Sequence, residues 1–326
     1  MDTYQLIKDF PKQLEEAITL GRQAVLTPAQ YPLHHVVISG MGGSGIGGKL
    51  LRQWVADRLP IPLAVNQDYT LPAYVSQHTL LILVSYSGNT EETLHALQEG
   101  LRRQAKIVCV TTGGTLRAMA EQHGLDLITL PSGMPPRACL GYSVVPQWWV
   151  LQFHQLISID FVASLQSAIQ LLHTTQAAVQ PEARRIARQL HGKIPVIYTT
   201  TAYEAVAIRW RQQFNENSQQ LCWHHIIPEM NHNELAGWDV LQQDLAVLML
   251  HGGTSHERTA LQQRSTQSLI QPKVRAYIPL QAQGNILLVQ SLYLIHLGDW
   301  ISYYLAQEKG VDPTAIAMID RLKGSL

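Results

Sequence analysis

The chain lacks an excess of charge of either sign: 24 lysines and arginines stand against 24 aspartates and glutamates. Nucleic acid and anionic membranes both demand a basic surface, so neither is expected as the main partner. No apolar run approaches the roughly 18 residues of a transmembrane helix. Met1-Asp2-Thr3-Tyr4 offers no basic start followed by an apolar core, and a cytoplasmic location is expected. Cysteine is scarce. Cys109, Cys139 and Cys222 are scattered, odd in number and without zinc spacing, and each has the apolar context of a small core residue. What the chain does have is apolar material: 46% of residues are hydrophobic against 15% charged, which allows sizeable cores and argues against extended disorder. A length of 326 residues suits two domains of ordinary size or one large one.

The most informative stretch is Ser85-Tyr86-Ser87-Gly88-Asn89-Thr90-Glu91-Glu92-Thr93. Ahead of it, Thr79 to Val84 is an unbroken apolar run of the kind a buried parallel strand shows. Behind it a helical pattern begins, with acidic residues in its first turn, where the helix dipole favours them. A loop with three hydroxyls and one glycine between strand and helix can offer a phosphate free N–H groups, hydroxyl donors and close backbone approach. The bland alternative is a helix cap with spare serines. A second turn of the same design lies upstream: the strand His35–Ser39, then Met41 and five glycines between Gly42 and Gly48, with Ser44 among them. Gly40 to Gly45 also fits the dinucleotide template G-x-G-x-x-G. That match is weak, because no clear acidic residue closes a second strand at ribose distance; Asp68 is the nearest.

Residues 2–28 read as a helix. Further strands fit Pro62–Val65, Leu80–Val84, Lys106–Val110 and Asp126–Leu130, with helices between several of them. Such alternation means a parallel sheet covered on both faces, with ligands at the carboxyl ends of its strands. Arg137, between Pro135-Pro136 and a helix starting near Gly141, is poorly placed to be a mere solubilising charge. A connecting helix carries Val162, Leu165, Ile169 and Leu172 on one face and is expected to break before Pro181. The second half restates the first, with strands at Pro195–Thr201, Leu245–Leu250 and Val274–Tyr277, and a long helix from about Asn285 to Lys309.

Taken in order, these segments resemble the SIS (sugar isomerase) superfamily, and within it the bifunctional phosphoglucose/phosphomannose isomerases. The resemblance rests on Met41 to Gly48, Ser85 to Thr93, Pro135-Pro136-Arg137-Ala138, Asn215-Glu216-Asn217, Pro228 to Glu234 and Lys309 to Pro313. It implies an α/β fold of two tandem SIS domains, each a doubly wound, mostly parallel sheet flanked by helices, here divided as residues 1–158 and 159–326. It also implies a homodimer with active sites shared between subunits, a sugar-phosphate substrate, and aldose–ketose isomerisation of glucose 6-phosphate and mannose 6-phosphate with fructose 6-phosphate, without metal or cofactor. On the same grounds the phosphate falls to Ser44, Ser85, Ser87 and Thr90 with the backbone of Gly43. Glu216 is the base, His232 assists ring opening with Lys309, and Arg137 stabilises the enediolate. Ser302, where the family more often carries threonine, is the small hydroxyl that leaves room for both epimers.

Those residue types suit the chemistry. Removing the proton beside a carbonyl needs a carboxylate tuned upward and donors where the oxyanion grows. Ring opening needs a group that both takes and gives a proton near neutral pH, and histidine does. Glu229 and Glu234 rival Glu216 as base, or they form a loop network with Asn231 and Asn233 that orients His232. His224, His225 and His232 near those acids hint at zinc, but their spacing matches no zinc helix and no metal is expected. A non-catalytic phosphosugar sensor is the alternative from another class. Such regulators usually add a DNA-binding helical domain, for which residues 1–33 are too short.

Overall fold

The computed structural model of the protein describes residues 2–253 and 256–325. In chain order, two helices, α1 (Thr3–Lys8) and α2 (Phe10–Gln23), precede β1 (His35–Ser39), α3 (Gly42–Trp54), β2 (Leu63–Asn66) and β3 (Thr79–Val84). Then come α4 (Glu91–Arg102), β4 (Lys106–Thr111), α5 (Gly114–Gln122), β5 (Asp126–Thr129), α6 (Leu140–Phe153) and α7 (Phe161–Leu190). The remainder is β6 (Ile194–Thr200), α8 (Glu204–Ser218), β7 (Trp223–Ile227), β8 (Gln242–His251), α9 (Glu257–Ile270), β9 (Val274–Gln281), α10 (Leu287–Lys309) and α11 (Ala317–Lys323). Two compact units result. One is Asp9–Ile169; the other joins the N-terminal residues up to Lys8 to those from Gln170 onward. The expected division after residue 158 lies just ahead of α7, whose first turns belong to one unit and whose later turns belong to the other. Among the described residues no helix is long and apolar enough to cross a membrane.

The first unit is built on a five-stranded sheet in the order β2-β1-β3-β4-β5, every pair parallel. Central β3 is buried at all six positions, which is why its sequence is a continuous apolar run. Val37, Leu81, Leu83, Ala96, Leu97, Cys109 and Leu116 form one core layer between the sheet and its helices. α6 is apolar all round and buried for nearly its whole length, packing against α2 and α3. Trp148 and Trp149 are buried there.

The second unit repeats the plan with four parallel strands, β7-β6-β8-β9. Its central helix is α10, buried from Leu288 through Ser302. α8 packs along it so closely that a Cβ on Gly298 would lie 2.4 Å from Trp210 Nε1, which donates to the Leu294 carbonyl at 2.8 Å. α1 packs on α10 as well, with Tyr4 edge-on to Trp300.

Several local expectations are corrected. The helix expected over residues 2–28 is two helices, because Pro11 has no N–H to continue a preceding turn and sits instead in the first turn of α2. The break expected before Pro181 does not occur: α7 runs through it for 30 residues, since one missing hydrogen bond is a small loss in so long a helix with a buried face. β9 extends through Pro279, which an edge strand tolerates. β7 carries Trp223, His224 and His225 and has only Ile227 fully buried, so no apolar run announces it.

Candidate functional site

In the first unit the strand order reverses between β1 and β3, and the chain leaves those two strands in opposite directions along the sheet. The crevice beyond their carboxyl ends is where open α/β sheets bind ligands. The two loops singled out in the sequence fill that crevice, one after β1 and one after β3. Ser44 lies in the first turn of α3, buried, its Oγ accepting the Tyr86 N–H at 3.2 Å. That hydrogen bond ties the glycine-rich loop to the hydroxyl loop. Ser85, also buried, shares a 2.8 Å hydrogen bond with Thr90 and accepts the Gly88 N–H at 3.1 Å. Ser87 is exposed and accepts from the Asn89 N–H at 3.2 Å, and half-buried Thr90 precedes α4. Gly88 has φ +71°, and a Cβ there would meet the Gly113 carbonyl at 1.8 Å, so only glycine closes this turn.

Arg137 is buried within a short 3-10 turn, Pro136–Ala138. Gly43 lets that turn approach: a Cβ on it would lie 2.8 Å from the Pro136 carbonyl and 3.2 Å from the Arg137 nitrogen. Gln13 of α2 braces the far side, donating to the Ala138 carbonyl at 2.8 Å and accepting from the Gly141 N–H at 2.7 Å. Tyr86 braces the near side. Its phenol donates to the Pro131 carbonyl at 2.8 Å and accepts the Met134 N–H at 3.3 Å. Burial first, and neighbouring Cys139 next, push this phenol well above its usual range, so it stays a donor. The sequence reading missed Tyr86 and Gln13; Tyr86 had only its place between two serines to mark it.

In the second unit Glu216 stands half-buried in the last turn of α8. It lines a pocket of about 510 Å³ with Asn215, Gln219, Gln220 and the segment Ala315–Ile319. α8 ends on Gln219 in the left-handed conformation, φ 48°. Lys309, at the carboxyl end of α10 where a cation suits the helix dipole, donates to the Gln219 carbonyl at 3.0 Å and to Gln220 Oε1 at 2.9 Å. Burial pushes the Lys309 ammonium below its ordinary pKa. Ser302 is fully buried beneath the same turn: its Oγ donates to the Asp299 carbonyl at 2.8 Å and accepts from Asn217 Nδ2 at 2.9 Å. Asp299 in turn faces Arg209 at 3.3 Å, an ion pair buried between α8 and α10. So the second unit brings Glu216, Lys309 and Ser302 around one helix end.

His232 closes a separate short turn, Glu229–His232, and is exposed. Its rival acids are occupied. Glu234 accepts from Tyr198 Oη and from Trp223 Nε1 (3.0 Å), and pairs with His225 Nδ1 at 2.7 Å. Asn233 accepts the Glu234 N–H at 2.5 Å and donates to Glu229 Oε1 at 3.1 Å, while Thr266 donates to Asn231 Oδ1 at 2.8 Å. Glu229, Glu234, Asn231 and Asn233 thus carry hydrogen bonds within and beyond this loop, on either side of His232 in sequence.

Two α/β units of the same plan, the first with a hydroxyl-lined crevice at its strand-order reversal, define a protein of the SIS class. Residues 31–136 match the SIS domain family model, and residues 179–326 match the bacterial phospho-glucose isomerase C-terminal SIS domain. The chain is 38% identical to a bifunctional phosphoglucose/phosphomannose isomerase of Caldicellulosiruptor bescii, the match covering 99% of this chain and 98% of that one. It is 35% identical to the protein of that name from Aquifex aeolicus, over 100% and 98% of the two chains. It belongs to the bifunctional phosphoglucose/phosphomannose isomerase family. Among solved structures, the C-terminal domain of glucosamine-fructose-6-phosphate aminotransferase from Francisella tularensis shares the fold, with a TM-score of 0.76 at 15% identity over 95% of this chain and 97% of that one.

Proposed function

We propose that the protein interconverts glucose 6-phosphate and mannose 6-phosphate with fructose 6-phosphate through an enediolate, with Glu216 as the base. The observation that carries the choice of base is that Glu216 lines a pocket of about 510 Å³ at the end of α8, beside the turn that Lys309 holds. Ser44, Ser85, Ser87, Thr90 and the Gly43 backbone bind the phosphate, using hydroxyls and the amino ends of α3 and α4. His232 and Lys309 open the ring by moving the proton between the anomeric hydroxyl and the ring oxygen.

Glu216 takes the proton from C2 of the open aldose, and electron density passes to O1. Arg137 stabilises the resulting oxyanion. The same carboxyl group returns the proton to C1 while a proton passes from O2 to O1, which leaves the ketose. C2 is planar in the enediolate, so one base serves both epimers when the C2–C3 bond can rotate. Ser302 is assigned to that room; fully buried, it holds Asn217, the residue after Glu216. The protein works as a cytoplasmic homodimer with active sites completed by the second subunit, and without metal or cofactor.

The test is a coupled assay on EDTA-treated protein with each aldose phosphate separately. Fructose 6-phosphate is expected from both, and Glu216→Gln is expected to lose about 10²–10⁴-fold in kcat while still binding sugar phosphate. Full activity in that variant would end the assignment, and silence on both substrates with binding intact would point to a sensor.

A further inference from the structure

Tyr86 sits between two serines assigned to the phosphate, yet its phenol points away from them to the arm that carries Arg137. Its backbone N–H reaches Ser44 Oγ at 3.2 Å, and its carbonyl accepts from the Thr112 hydroxyl at 2.8 Å and the Thr112 N–H at 3.2 Å. Its ring is buried, and its hydroxyl bridges the Pro131 carbonyl and the Met134 N–H. Beyond Met134 there is little slack. Two prolines follow, the Cys139 thiol donates to the Pro135 carbonyl at 3.3 Å, and the Ala138 N–H donates to the same carbonyl at 2.9 Å. One residue thus touches the glycine-rich loop, the hydroxyl loop, the turn after β4 and the arm leading to Arg137.

We propose that Tyr86 is a positioning residue: its phenol sets Arg137 relative to the phosphate-binding loops, so that anchoring the phosphate and stabilising the enediolate share one geometry. This rests on the isomerase reading above. A displacement of about 1 Å in such a group costs up to a hundredfold in rate, whereas loss of one hydroxyl from a packed ring leaves the fold standing. In sequence terms, the tyrosine of Ser-Tyr-Ser serves the loop it is not part of.

The test is a double-mutant cycle of Tyr86→Phe and Arg137→Ala, with kcat and KM for glucose 6-phosphate and inhibition by inorganic phosphate. Tyr86→Phe alone is expected to lower kcat about tenfold to a hundredfold, with phosphate inhibition within about threefold of wild type. On the Arg137→Ala background the same change is expected to cost less than about twofold. An equal loss in both backgrounds, or none in the first, would overturn the proposal. A second arm needs no turnover: in Tyr86→Phe the Met134 and Ala138 amides are expected to exchange hydrogen faster. Unchanged protection there overturns the positioning role. A wild type that exchanges as expected but does not isomerise overturns the isomerase reading instead, leaving the amide arm to decide Tyr86.

Discussion

Glu234→Gln separates Glu216 from Glu234 as the base. In the native protein this carboxylate, about a quarter exposed, takes hydrogen bonds from Tyr198 and Trp223 and lies 2.7 Å from His225 Nδ1. Hydrogen bonds to a charged group contribute about 1.5–3 kcal/mol each, and partial exposure reduces that. Glutamine keeps the shape and one acceptor oxygen but meets one of its donors with an NH₂. The net loss is set at roughly 3 kcal/mol, the sum of one charged bond and part of another. For a unit of this size that lowers the unfolding midpoint by about 6–12 °C. The turnover of the folded variant stays within about tenfold of wild type, the residual loss coming from a looser His232 turn. The assays are thermal unfolding and initial rates below the midpoint. A variant with an unchanged midpoint and a kcat down by more than about a thousandfold would refute the reasoning and transfer the base to Glu234.

Two further outcomes follow from buried geometry. His296 is fully buried, and its Nε2 accepts the Trp300 indole N–H at 3.0 Å, so it is neutral in the fold. Burial, then His173, lowers its pKa from 6.5 to about 3. The unfolded chain therefore binds a proton first: the stability His296 contributes is complete above pH 6.5 and falls as pH drops toward 3, by about 1.4 kcal/mol per unit. Denaturant titrations between pH 7 and 4 are expected to show a shallower acid loss in His296→Gln; an identical slope would contradict this. Gly88→Ala forces a Cβ against the Gly113 carbonyl at a positive φ, at a cost of roughly 1–3 kcal/mol, and displaces the Ser85–Thr90 loop. Inorganic phosphate is expected to inhibit that variant at least about tenfold more weakly than wild type, and equal inhibition would show the loop is not the phosphate site.

What the sequence disclosed follows from how each feature is encoded. β3 was legible because a strand buried on both faces writes an unbroken apolar run, and the loops beyond β1 and β3 because glycines and hydroxyls cluster there. β7 was not: with Trp223 exposed and two histidines half-buried, its pairing with β6 is decided by tertiary context. Pro181 misled because the rule it obeys concerns one hydrogen bond, while α7 is stabilised by a buried face many turns long. The choice among glutamates was open because Tyr198 lies 36 residues before Glu234, and no local pattern joins them. Tyr86 escaped notice for the same reason, since its phenol reaches 45 residues along the chain to Pro131. Ser302 was singled out by resemblance alone, and its place beneath Asn217 depends on how α8 packs on α10.

The central claim is that Glu216 moves a proton through an enediolate, and solvent exchange tests it most directly. Protein is incubated with glucose 6-phosphate in D₂O, and proton NMR follows the C2 hydrogen of the aldose and the C1 hydrogens of fructose 6-phosphate. The wild type is expected to place solvent deuterium at both positions, and Glu216→Gln to do so about 10²–10⁴-fold more slowly. Deuterium entering at the wild-type rate in Glu216→Gln would contradict the account.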